Sequence, residues 1–233
     1  MKKALVTGAS SGIGLSICKM LRKESYTVYG IARTTYGFSQ FEGDADFHGI
    51  MLDITDTQSL METVKKINKE HDITLLVNNA GVGYYGLHEE LKPAQISEML
   101  RTNLEAPMIL CNLLLRDLKK NQGTIIQITS VTAEECNPHG CAYGATKAGL
   151  SSFTQSLFAE ARKYGVRVIE IRPDMTQTNL YRHADFEAAE EEDASLTPED
   201  VADAVQFALS ARDGSVVTSL TVRPQLHRIK KKK

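Results

Sequence analysis

Tyr143 and Lys147 stand four residues apart, and Tyr143 lies thirteen residues beyond Ser130. A phenol is a poor acid or base near neutrality because its pKa is about 10. An ammonium one helical turn away favours the phenolate, so the spacing predicts a pKa pulled down toward a useful range. Near the other end of the chain, Ala4-Leu5-Val6 leads into Thr7-Gly8-Ala9-Ser10-Ser11-Gly12-Ile13-Gly14. Gly8, Gly12 and Gly14 carry no Cβ, so backbone amides there can approach a phosphate. A helix beginning near Gly12 adds its positive end. The first group reads as a proton donor or acceptor, the second as a seat for the pyrophosphate of a nucleotide cofactor.

These groups need elements that carry them to one place. Lys3 to Thr7 reads as a strand, followed by helical spacing at Ile13, Ile17, Met20 and Leu21. Thr27 to Ala32 and Phe47 to Leu52 read as the next strands, the latter ending at Asp53. Leu60, Val64 and Ile67 mark a helix. Ile73 to Val77 is an apolar strand without alternation, as in a sheet buried on both faces. A helix is predicted over about Thr102 to Lys120, with Pro107 in its first turns, where a missing amide does least harm. Thr124 to Thr129 reads as a strand, Ala142 to Tyr164 as a helix, and Val166 to Ile171 as a strand stopped by Pro173. Thr197-Pro198 opens a helix with the stripe Val201, Val205, Ala208 and Leu209, and Val216 to Val222 reads as a last strand. The alternation predicts one α/β domain over residues 1–225. It is a Rossmann-like, doubly wound parallel sheet flanked by helices on both faces, with ligands outside the carboxyl ends of the strands.

Residues 174–196 break that pattern. They are polar, carry Glu190-Glu191-Glu192-Asp193, and are predicted to be a solvated face or a substrate lid. Residues 226–233 are basic and predicted to be a frayed, flexible tail. A net charge of −2 gives no general attraction to nucleic acid or to an anionic membrane. No apolar run reaches the roughly 18 residues of a spanning helix. Cys18, Cys111, Cys136 and Cys141 show no CxxC spacing and no metal pattern, which predicts reduced thiols, no metal and a cytoplasmic setting.

At the end of the second strand an acidic residue would bind an adenosine ribose 2′-hydroxyl and repel a 2′-phosphate. This chain has Arg33-Thr34 instead, and a guanidinium suits a phosphate. The expectation is therefore NADP(H) over NAD(H).

Taken together, these residues resemble the short-chain dehydrogenase/reductase family in its short, single-domain form. Thr7 to Gly14 is similar to its TGxxxGxG turn, and Asn78-Asn79-Ala80-Gly81 to its NNAG segment. Asp53 matches an acidic position near the adenine, and Asn103 a helix asparagine that holds a water. Ser130, Tyr143 and Lys147 match the catalytic serine, tyrosine and lysine. Arg172-Pro173 with Thr178 looks like the segment that runs past the nicotinamide. The resemblance spans roughly residues 1–222. It implies cofactor contacts from Gly8, Ser10, Ser11, Gly12, Ile13 and Gly14 in the turn, and from Arg33, Thr34, Asp53 and Ile54 at the adenosine end. Asn79, Ala80, Gly81, Tyr143, Lys147, Pro173, Thr176 and Thr178 complete the implied set. Two departures stand out. Asp174 occupies the place of a glycine after the proline, and the chain runs Thr221-Val222-Arg223-Pro224 where 3-oxoacyl reductases commonly end Asp-Gly-Gly. The second departure speaks against a role in fatty-acid synthesis.

The implied chemistry is hydride transfer between a nicotinamide and a small-molecule carbonyl or alcohol. Tyr143 would serve as acid for reduction or base for oxidation, and Ser130 would donate to the substrate oxygen. Lys147 would tune Tyr143 and hold the nicotinamide ribose, with Asn103 completing a water-linked proton path. Ser130, Tyr143, Tyr84, Glu134 and Asp174 are the candidate substrate contacts. Reduction is the leading expectation. Alternatives are a 3-hydroxy-acid or alcohol dehydrogenase working in oxidation, and a catalytically silent NADP(H) sensor. The family also implies a homodimer or homotetramer through the 102–120 and 142–164 helices.

Overall fold

The computed structural model describes residues 2–189, 191, 193–226 and 228–232. In chain order the strands are β1 (Lys3–Thr7), β2 (Thr27–Ala32), β3 (Phe47–Met51), β4 (Leu75–Asn78), β5 (Thr124–Ile128), β6 (Arg167–Pro173), β7 (Phe186–Ala188), β8 (Ser219–Val222) and β9 (Ile229–Lys231). The helices are α1 (Gly12–Lys23), α2 (Thr57–His71), α3 (Pro93–Leu100), α4 (Ala106–Asn121), α5 (Cys141–Ala161) and α6 (Pro198–Leu209). Among the described residues a seven-stranded sheet runs β3-β2-β1-β4-β5-β6-β8, and each adjacent pair is parallel. Strand order reverses between β1 and β4, which opens a crevice at their carboxyl ends.

The apolar runs of β1, β4 and β5 do not alternate because both faces are covered. Val6, Val77, Ile126 and Ile171 pack with Ile17, Leu21, Val201 and Val205 of α1 and α6. Leu5, Leu76, Ile125 and Val168 pack on the opposite side with Leu60, Leu110, Leu114 and Leu157 of α2, α4 and α5. Fully burying one such leucine stabilises the fold by about 1.5–3 kcal/mol. The sheet is therefore a rigid plane between two apolar layers, and its carboxyl edge is a fixed platform.

Several elements differ from expectation. The helix predicted from Thr102 is the second half of a longer helical run. α3 passes through a π-helical turn, Arg101–Glu105, into α4. Pro107 has no amide for the Asn103 carbonyl four residues earlier, and the wider turn absorbs that mismatch. The last parallel strand covers Ser219–Val222, shorter than the predicted 216–222. Among the described residues of 174–196, Met175, Ala184, Ala189, Ala194, Ser195 and Leu196 are buried, so the segment is not wholly solvated.

The described part of the C-terminal tail is paired rather than frayed. β9 runs antiparallel to β7, with Phe186 opposite Lys231 and Ala188 opposite Ile229. Lys230 pairs with Glu187 at 3.7 Å and Arg228 with Glu191 at 3.5 Å, so the basic end meets the acidic run. Glu190, Glu192, His227 and Lys233 lie outside the described residues.

Candidate active site

The glycine turn leaves β1 with Gly8 at φ +67° and Gly12 at φ +51°, both in the left-handed region that favours glycine. Gly14 is fixed by space instead, because a Cβ there would lie 2.2 Å from the Gly8 carbonyl oxygen. Thr7 ties this turn to the end of β4. Its Oγ1 accepts the amides of Asn79 and Ala80 at 3.1 Å each, and Asn79 Nδ2 donates to the Thr7 carbonyl at 2.9 Å. Thr7 was absent from the expected site, although its place before Gly8 was a signal that could have found it.

The turn, the ends of β2 and β3, and residues 79–81 open onto one cleft of about 460 Å³. Ser10, Ser11, Gly12 and Ile13 line one wall; Arg33, Thr34, Asp53 and Ile54 line the far end. Ser10 Oγ and Thr34 Oγ1 are 3.3 Å apart and cross-link those two walls. Asp53 Oδ1 accepts the Thr55 amide at 2.9 Å, which closes the loop after β3. Arg33 is half exposed and its Nη1 lies 3.5 Å from Glu98 Oε1. Gly14 lies behind the wall as packing. A helix N-terminus reached through residues without side chains fits a dinucleotide pyrophosphate. A Cβ on Gly12 would come within 3.1 Å of Thr178 Cγ2, so Thr178 overhangs the same seat.

At the other end of this cleft stand Ser130, Tyr143 and Lys147, with Pro173, Asp174 and Thr176 opposite. Ser130 lies two residues beyond β5 and caps the next turn, its Oγ accepting the Thr132 amide at 3.2 Å. Its hydroxyl also acts on Tyr143, favouring the ionised phenol. Tyr143 and Lys147 lie one turn apart on α5, and both are buried. Lys147 Nζ donates to the Ile128 carbonyl at 2.8 Å. Asn103 is wholly buried behind them. Its Oδ1 accepts the Val82 amide at 2.9 Å, and its Nδ2 donates to the Val82 carbonyl at 2.9 Å and to Thr146 Oγ1 at 3.1 Å. The Asn103 side chain thus holds the end of the 79–82 segment against α5.

The predicted depression of the Tyr143 pKa is not what this geometry gives. Burial raises it, the nearby Tyr181 raises it further, and the Ser130 hydrogen bond opposes both. Lys147 is itself buried, and desolvation brings its pKa down to about 8. Removing water penalises a charged phenolate and a charged ammonium alike. Proximity alone therefore does not set the phenol's acidity here.

A short chain dehydrogenase profile matches residues 2–188. The chain belongs to the short-chain dehydrogenase family. The 3-oxoacyl-(acyl-carrier-protein) reductase FabG of Escherichia coli strain K12 is 36% identical over 186 residues, 78% of this chain and 76% of that one. The protein of the same name from Buchnera aphidicola is 31% identical over 229 residues, 94% and 93% of the two chains. An alcohol dehydrogenase from Thermococcus sibiricus, solved with 5-hydroxy-NADP, superposes with a TM-score of 0.89 at 27% identity, covering 98% of each chain. As a short-chain dehydrogenase the protein is an oxidoreductase of CH–OH and C=O groups whose cofactor class is a nicotinamide dinucleotide.

Within this short-chain dehydrogenase site, three expected substrate contacts need correction or refinement. Glu134 does not line the cleft; its carboxylate pairs with Arg172 and is turned to solvent. Tyr84 does not line it either. Its hydroxyl donates to Glu98 at 2.7 Å and its ring stacks on His183 at 4.9 Å. Asp174 does line the cleft, with Oδ1 accepting the Met175 amide at 2.8 Å and Oδ2 lying 3.4 Å from Arg223 Nη1. The rings that surround Tyr143 are Tyr85, whose centroid is 5.6 Å away, and beyond it Tyr181 and Phe186. Burial pushes the Tyr181 pKa up to about 12, with Asp174 adding to it. Tyr181 was reachable from sequence only as part of an aperiodic segment, because nothing in its spacing shows which way the chain turns.

Proposed function

We propose that this short-chain dehydrogenase reduces a small-molecule ketone or aldehyde, using NADP(H) in preference to NAD(H). The reading rests on one convergence: Ser130, Tyr143 and Lys147 meet at one end of the cleft whose other end is the glycine turn. A reduced nicotinamide bound between them would supply the hydride. Tyr143 gives its proton to the substrate oxygen as negative charge develops there. Ser130 donates a hydrogen bond to the same oxygen. Lys147 stabilises the resulting phenolate, and Asn103 fixes the backbone that carries the site. The Tyr181 ring lines the cleft, backed by Tyr85 and Phe186, and this wall favours a compact carbonyl substrate and keeps water from Tyr143.

Two further features support the finer points. Arg33 and Thr34 line the far end of the cleft without an acidic residue beside them on β2, which favours a 2′-phosphate. Half-buried apolar residues Ile109 and Leu113 on α4, and Phe153 on α5, with the exposed Met108, suit a homodimer or homotetramer through those helices. A panel of ketones, aldehydes and 3-oxo esters, assayed with NADPH and NADH in parallel, tests the function. Turnover with NADPH on at least one carbonyl is expected; absence of turnover with either coenzyme across the panel would favour a silent sensor.

A further inference from the structure

One buried acid has no part in the mechanism above. Glu170 sits in the middle of β6 at 2% exposure, on the face that packs against α4 and α5. The rows beneath it on that face are apolar, with Ile125 and Val168 among them. Its own row reads Asn78, Gln127, Glu170 across β4, β5 and β6, and Asn78 and Gln127 share the Cys111 sulfur as acceptor at 3.6 and 3.3 Å. Glu170 instead accepts from Thr129 Oγ1 at 2.7 Å. Thr129 directly follows Ile128, whose carbonyl receives the Lys147 ammonium, and both residues line the cleft.

A carboxylate removed from water is costly unless a cation and hydrogen bonds compensate it. A neutral hydroxyl donor satisfies one lone pair but not the charge. Two cations reach this face: Lys147, beside β5, and Arg172, two residues along β6, whose guanidinium pairs with Glu134 while its Nε is buried without a hydrogen bond. We propose that Glu170 is a positioning residue for the active site, the internal counter-ion that keeps Lys147 charged and seated against Ile128 behind Tyr143. The proposal rests on the reading of Lys147 given above, and it adds a second charge that the three-residue set lacks. The carboxylate acts on Lys147 in the direction required, raising its pKa against the larger lowering by burial. The other ionisable groups on the elements around the pair are accounted for. Cys111 on α4 is kept a neutral thiol by burial, its pKa pushed up to about 12. Tyr143 on α5 is kept neutral by burial. Arg172, two residues along β6, is paired with Glu134, and Arg167 at the start of β6 donates to Thr124 Oγ1 at 3.1 Å. On β8 the residue opposite Glu170 is Ser219.

The test uses the full chain without added coenzyme or substrate. In the chain labelled with 13C at lysine, the Lys147 signal, assigned by its loss in Lys147→Met, is titrated with pH. The parent midpoint is expected near pH 8. Glu170→Gln keeps the shape and an oxygen for the Thr129 hydroxyl, and should lower the midpoint by about one pH unit. Glu170→Asp retains the charge and should return it toward the parent value. Thermal melts supply the second measurement. Glu170→Gln should lower the melting temperature in the parent chain and raise it in the Lys147→Met background, where the carboxylate has lost its partner. An unmoved midpoint in Glu170→Gln, or two substitutions that simply add, overturns the proposal. Neither measurement needs turnover, so failure of the reductase reading, which Tyr143→Phe tests, leaves a different signature.

Discussion

The Lys147 ammonium lies 5.8 Å from the centre of the Tyr143 ring and spends a hydrogen bond on the Ile128 carbonyl, 2.8 Å away. It is therefore a buried cation near the phenol ring, while Ser130 is the neighbour that favours the ionised hydroxyl. In the proposed mechanism this arrangement would separate the group that gives the proton from the group that stabilises what is left. Tyr143→Phe removes the first alone. Fold, melting temperature and NADPH binding should survive, while kcat falls by about 10²–10⁴. Near-normal turnover in that variant would exclude Tyr143 as proton donor.

Lys147 also makes a prediction about stability and pH. Its folded pKa of about 8 lies below its ordinary value of 10.5. Below pH 8 it carries its proton in both states, and burying the charge weakens the fold. Between about 8 and 10 the unfolded chain still holds a proton that the folded chain has released, so stability rises with pH across that window. Above 10 the raised pKa of Tyr143 acts in the opposite sense, because the unfolded phenol ionises first. Urea unfolding at pH 8, 9 and 10 should show this rise in the parent chain and a flatter dependence in Lys147→Met. An unchanged slope would mean that Lys147 is solvated.

Arg33 sits within 3.5 Å of Glu98, which also holds the Tyr84 hydroxyl. A 2′-phosphate would have to compete with that carboxylate for the guanidinium. Losing a charge-assisted bond to phosphate is worth about 1.5–3 kcal/mol, so Arg33→Ala should raise the KM for NADPH about 10- to 100-fold. The KM for NADH should change little. Glu98→Gln should improve NADPH affinity by releasing Arg33. Equal effects on both coenzymes would remove the case for a 2′-phosphate site.

Asn103 spends its side chain on three buried hydrogen bonds that join Val82 and Thr146. Asn103→Ala leaves the Val82 amide and carbonyl without those partners in a wholly buried place. It should destabilise the chain by about 2–4 kcal/mol, read by chemical unfolding, and lower kcat through misplacement of residues 79–82. A stability loss below 1 kcal/mol, on the order of a surface substitution, would show that water replaces the amide.

Much of this site was legible before any coordinates. The alternation of strand and helix patterns fixed the parallel sheet, and a parallel sheet puts every carboxyl end on one edge. That alone brings Gly8, Asn79, Ser130 and Pro173 to the same side. The polar stretch 174–196 misled, because its buried residues are small or isolated, such as Ala184, Ala194 and Leu196, and leave no periodic trace. The tail misled for a related reason. Its lysines read as solvated, yet their backbone supplies a strand for β7, and strand pairing does not require apolar side chains.

Glycines at Gly8, Gly12 and Gly14, and the four-residue interval from Tyr143 to Lys147, belong to local chain geometry, so sequence determined both the glycine turn and the helical pairing of phenol and amine. Their environment belongs to the fold. Whether a phenol gains or loses acidity depends on how much water is removed from it, and that is decided by Tyr85 and Tyr181 arriving from distant segments. The same holds for Glu134, drawn to Arg172, and for Glu170, sealed beside Thr129. Charge interactions over a few ångströms vary with burial far more than with spacing along the chain, and burial is a property of the packed whole.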